Sequence, residues 1–168
     1  MDMLETIIKI LVGAAIGGST VYFPLRSKLQ QQERSRSHRR LSILEEVSKH
    51  VGKVSHVFGK YSSLINEVGA HKERMSLKQQ QELDTLSNEL VEVYEEISIA
   101  EAKLLMLGEK RLEKAMKLYS SKMAQFRKQF YPGRYESAED LAGAKKDISK
   151  MREQFYDVLS ERYDAIMQ

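Results

Sequence analysis

From Leu41 onward the chain carries an apolar residue at every third or fourth position, with one proline, Pro132, to interrupt it. That spacing restricts this part to helices that bury one stripe each. In the first stretch the stripe is Leu44, Val47, Val51, Val54, Phe58, Tyr61, Ile65 and Val68, an alternation of three and four that makes a heptad seam. Ile43, Val57 and Leu64 widen it beyond a two-stranded coil, as a bundle helix requires. No strand periodicity competes with it.

Punctuation divides the seam. Gly69 suits a helix end, because glycine accepts the left-handed conformation there. Ser76 and Gln79 have capping-box spacing and open a second helix with the stripe Leu83, Leu86, Leu90, Val93, Ile97, Ala100, Leu104 and Leu107. At Gly108 the phase slips. The next stripe is Leu112, Met116, Tyr119, Met123, Phe126 and Phe130. A slip at a glycine reads as a tight connection, with one continuous helix over 76–131 as the alternative. Tyr131, Pro132 and Gly133 end the third helix, and Ser137 with Asp140 caps a fourth whose stripe is Leu141, Ala144, Ile148, Met151, Phe155, Val158 and Ile166, with Leu159 beside it. The expected fold class is all-α: an antiparallel four-helix bundle over 41–168, or three long helices if 76–131 is continuous. Charge favours pairing the middle helices. Residues 76–107 hold two lysines against seven acids, and residues 109–131 hold seven basic residues against two acids.

The first forty residues follow different rules. From Ile10 to Leu25 no side chain is ionised, and Ile7, Ile8 and Lys9 extend that run. A helix over 7–25 would span roughly 28 Å, close to the thickness of a hydrocarbon core. Arg26, Lys28, Arg34, Arg36, Arg39 and Arg40 follow, opposed by Glu33 alone. The expected domains are therefore a transmembrane segment over 1–25, a basic juxtamembrane segment over 26–40, and a helical bundle over 41–168. Basic residues are retained on the cytoplasmic side of a membrane. The pattern thus predicts a single-pass inner-membrane protein with its N-terminus outside and its bundle cytoplasmic, the six basic residues lying against anionic headgroups. Gly13, Gly17 and Gly18 form part of a small-residue strip suited to self-association within the membrane, so a homo-oligomer is one expectation.

Residues 1–40 hold seven Lys and Arg against three acids, whereas the remainder is close to neutral. The excess positive charge is local, which argues against nucleic acid as a partner. No phosphate-cradling glycine loop, His-Glu-x-x-His motif, nucleophile elbow or cysteine occurs. No cofactor, metal or catalytic residue is predicted. Glu46 with His50 and Glu67 with His71 are four apart and read as solvated ion pairs on a helix surface. The acids Glu89, Glu92, Glu95 and Glu96 read as a solvated face against the basic third helix. Met116, Met123 and Met151 read as core. Ser48, Gly52, Ser55, Gly59 and Ser62 form a small-residue stripe off the seam, read as neutral surface or a second subunit's seat.

Tyr131, Arg134 and Tyr135, at the turn after the third helix, are the candidate partner-binding residues, because tyrosine and arginine recur at interface hot spots. The layout resembles that of bacterial single-pass proteins with a short cytoplasmic helical domain, and no functional residue follows from that likeness. The leading expectation is a membrane-anchored, non-enzymatic module that presents its bundle to a protein partner. The alternative is a membrane-active effector such as a phage lysis or toxin component.

Overall fold

The computed structural model describes the backbone of residues 2–70, 76–131 and 137–168, and the side chains of these residues apart from 2, 4–29 and 69–70. Helices follow one another as α1 (Asp2–Ala70), α2 (Leu77–Val93), α3 (Glu95–Leu107), α4 (Lys110–Gln129) and α5 (Ala138–Met167). The described residues form no strand. Two compact units are distinguished, Met1–Arg40 and Leu41–Gln168.

In the first unit the backbone of the predicted span is helical, as part of α1. Its side chains lie outside the described residues, as do the predicted self-association residues Gly13, Gly17 and Gly18 and the flank residues Arg26 and Lys28. Among the described residues no helix is long and apolar enough to cross a membrane. The spanning segment therefore rests on sequence alone.

The second unit is a helical bundle, and its core is the set of predicted stripes. Every member of the first stripe from Leu44 to Val68 is buried, and so is every member of the Leu112–Phe130 stripe. Leu83, Leu90, Ile97, Ala100 and Leu104 are buried from α2 and α3, with Leu86, Val93 and Leu107 packed at the margin. Leu141, Ile148, Phe155 and Leu159 are buried from α5. Met116 and Met123 are fully enclosed, and Met151 packs against the core from its edge.

The connections follow the local chemistry. Ser76 and Ser137 each accept a hydrogen bond from the amide three residues on, and the Gln79 and Asp140 side chains accept from the Ser76 and Ser137 amides. Both are complete capping boxes. Gly108 adopts φ +72°, with its amide donating to Leu105 O and the Glu109 amide donating to Leu104 O. This is a Schellman closure, and it uses a conformation that side-chain-bearing residues avoid. The alternative of one continuous helix over 76–131 is thereby overturned. The single helix expected over 76–107 is itself divided at Tyr94, where the amide hydrogen bonds tighten to a three-residue spacing (Tyr94 N to Val91 O, 3.3 Å; Ile97 N to Tyr94 O, 3.1 Å).

Cross-helix pairs fix the directions. Lys53–Glu96 and Lys103–Glu46 run α1 antiparallel to α3. Ser87–Arg127 and Glu101–Lys117 run α2 and α3 antiparallel to α4. Lys122–Asp147 and Glu109–Arg162 do the same for α4 and α5, and Glu45–Tyr163 joins α5 to α1. α1 and α4 run parallel across the centre, joined by Phe58 and Phe126 at 5.2 Å between ring centroids.

Candidate interaction surface

The helices of the bundle leave a seam open between α1 and α5. Residues 52–63 of α1 and 145–156 of α5 border a cavity of about 750 Å³. Its α1 wall is the predicted small-residue stripe: Gly52, Ser55, Gly59 and Ser62 all line it. A Cβ built on Gly52 or Gly59 would meet nothing within 4 Å. The stripe therefore widens a groove instead of letting α5 approach. Its floor is Phe58, Ile148 and Tyr119, whose hydroxyl donates to Ser55 Oγ at 2.9 Å. Burial pushes the Tyr119 phenol above its ordinary pKa, which keeps it a neutral donor.

The opposite wall carries charge. Lys145 and Arg152 project from α5, and His56 and Lys60 stand on the α1 rim. The Arg152 guanidinium lies 5.8 Å from the centre of the Tyr156 ring, a cation–π distance that holds both side chains along the rim. None of the described residues lining this cavity is acidic. A second cavity of about 490 Å³ continues the seam past Tyr156, with Leu44 and Leu159 at its base and Ser48, Ser160 and Tyr163 at its sides. Tyr163 donates to Glu45 there at 3.2 Å.

Between α4 and α5 lie smaller cavities of about 270 and 210 Å³, while ion pairs bridge α1 with α3 and α3 with α4. Between α1 and α3, Glu96 receives Lys53 at 2.7 Å and pairs with His50, while Lys103 pairs with Glu46. The expected solvated pair Glu46–His50 is thus replaced by two pairings across helices. Positions 46 and 50 lie on the edge of α1 that faces α3, where opposite charges stand closer than the i+4 neighbour. Hydrogen bonds from Lys103 hold the Glu46 carboxyl below its ordinary pKa, and those from Lys53 and His50 do the same for Glu96. Glu96 therefore faces the first helix of the bundle, not the basic third one as expected. Between α3 and α4, Lys117 bridges Glu101 at 2.7 Å and Glu113 at 2.6 Å, and both carboxylates raise its pKa. Half-buried Tyr94 donates to Ser120 O at 3.0 Å, and desolvation raises its phenol to about 12.

Of the predicted partner-binding turn, Tyr131 is 48 % exposed at the end of α4, and Arg134 and Tyr135 lie outside the described residues. Neighbouring Phe130 is buried, and its carbonyl accepts from Tyr61 Oη at 2.9 Å. Arg34, Arg36 and Arg39 are exposed on α1, and Arg40 is half-buried. His71, of the second predicted Glu–His pair, is outside the described residues. Among the described residues no three His, Cys, Asp or Glu side chains group as metal ligands would.

What sequence reasoning missed was the open seam. Its signal was present in the small residues of α1, but their width became meaningful only beside Lys145, Arg152 and Tyr156. No protein family, curated protein or solved structure matches the chain.

Proposed function

We propose that this chain is a membrane-anchored interaction module whose bundle docks a protein partner along the α1–α5 seam. The observation that carries the reading is that seam: a groove with an apolar floor, hydroxyl-bearing walls and a basic rim. Convergent polar groups around an apolar floor are what a recognition surface needs. The anchor rests on the charge-free run over 10–25 and on Arg26, Lys28, Arg34, Arg36, Arg39 and Arg40 behind it. In this reading the chain acts by placing a binding surface at the cytoplasmic face of the inner membrane, and it performs no catalysis.

Two experiments test it. Carbonate-washed membranes should retain the full chain, and a variant with Ile10, Val12 and Ile16 changed to Asp should be released. Reporter fusions at the C-terminus should read cytoplasmic. A periplasmic readout would replace the module with the membrane-active effector.

A further inference from the structure

We infer that the occupant of the α1–α5 groove is the outer face of α2 and α3 of a second copy of this chain. This deepens the interaction-module reading by naming the partner, and it does not depend on the anchor.

The groove excludes its own image. Two copies joined by the same face would set Lys145 and Arg152 against Lys145 and Arg152, so a symmetric pairing would begin with like charges in contact. The groove instead requires an acidic helix with an apolar edge. One such helix face is present on this chain. Asp84, Glu89, Glu92 and Glu95 are exposed on α2 and α3 and form no ion pair among the described residues. Val91, Ile99 and Met106 are exposed beside them, at 51 %, 38 % and 73 %.

Register adds an independent match. Lys53–Glu96 and Lys103–Glu46 set the height of α1 against α3, and Tyr163–Glu45 sets that of α5 against α1. With two bundles side by side at equal height, Lys145 and Arg152 stand level with the stretch from Asp84 to Glu95. Leu44 and Leu159, at the base of the second cavity, stand level with Ile99 and Met106. Charge thus meets opposite charge in this placement, and Ile99 and Met106 come level with the Tyr156 and Tyr163 rings that line the second cavity. The contact joins unlike faces, so each copy keeps one groove and one acidic face free, and association continues into a ring or a row.

The chain contains no cysteine, so introduced thiols report without background. Asn88 is exposed among the acids and Ser149 lines the groove at the same height. Full-length N88C and S149C chains, mixed in detergent and oxidised, should give a cross-linked dimer, and S149C alone should give none. Gly59→Leu should abolish the cross-link while helical signal and melting temperature stay at or above those of the parent, because its side chain enters open space in the monomer. Raising salt from about 50 to 500 mM should weaken association roughly tenfold or more. A K145E/R152E chain should lose association with itself, an E89K/E92K chain should lose it likewise, and the two mixed should associate. The inference is overturned by a dimer from S149C alone, by a monomer in light scattering at every salt concentration, or by a cross-link that survives Gly59→Leu. A chain that cross-links as expected yet washes off membranes would refute the anchor and leave this contact standing.

Discussion

α1 meets α4 and α5 with opposite kinds of residue. Toward α4 it presents Phe58 and Tyr61, which pack against Phe126, itself 4.7 Å from the Phe130 ring. Toward α5 it presents Gly52, Ser55 and Gly59, which leave a cavity. One helix, two faces and two outcomes teach where the bundle keeps its stability. Aromatic rings fill the contact between α1 and α4, whereas the α1–α5 seam keeps an unfilled cavity beside the Ile148, Phe155 and Leu159 side chains that enter the core. A bundle built only for stability would fill that seam, since helical glycine costs about 1 kcal/mol relative to alanine.

The largest effect expected from this contrast is at Phe126. It touches Phe58, Tyr61 and Phe130 and is 1 % exposed. Phe126→Ala should cost about 3–5 kcal/mol by chemical denaturation, the range for an aromatic deleted from a closed core. A cost below about 1 kcal/mol would mean the cluster collapses around the gap, and the contrast between the two faces would fail.

Tyr61→Phe asks how much of that stability is polar. The ring would remain, and the Phe130 carbonyl would lose its donor at 2.9 Å. A buried acceptor left without its partner costs about 1–2 kcal/mol. The same hydrogen bond ties the end of α4 to α1, so amide exchange near Phe130 should quicken in this variant. Unchanged exchange would assign Tyr61 to packing alone.

On the other face the sign should reverse. Gly52→Ala and Gly59→Ala add a methyl where nothing lies within 4 Å and where the backbone is helical. Each should stabilise the isolated bundle by up to about 1 kcal/mol, read as a higher melting temperature. Destabilisation at either position would show that α5 closes on α1 in solution, and the groove would be lost with it.

These faces also mark how far the sequence could be read. The stripes on all four bundle segments, both capping boxes and the stop at Gly108 were legible because each depends on residues within a few positions of one another. The break at Tyr94 was not, because no glycine or proline marks it and its tightened hydrogen bonds leave no compositional trace. The partners of Glu46, His50 and Glu96 were not legible either. Sequence spacing offered Glu46 to His50 at i+4, whereas the structure joins each to a helix more than forty residues away. The same holds for the groove. Small residues on α1 fitted a neutral surface or a second subunit's seat, and the cavity they border depends on the side chains of α5. Residue type alone marks Tyr131, and its neighbours in the turn, Arg134 and Tyr135, lie outside the described residues.

The smallest expected effect concerns the third face of α1, the ionic seam with α3, and it separates that seam from the other two. Glu96 and Glu46 have folded-state pKa values below the ordinary 4.5, held there by Lys53 with His50 and by Lys103. A carboxyl whose pKa is depressed by folding stabilises the fold above its unfolded pKa, and that contribution disappears as pH falls through the folded value. Melting temperature should therefore be level from about pH 6 down to 5 and then decline below about 4.5. Glu96→Gln should flatten part of that decline and leave the neutral-pH value nearly unchanged, because exposed ion pairs contribute little at moderate salt. Phe126→Ala and Gly59→Ala should instead shift the whole curve without changing its acid slope, since neither position contacts a carboxyl group. An acid slope in Glu96→Gln equal to that of the parent would remove the α1–α3 pairs from the account of stability, leaving the aromatic face of α1 to supply it.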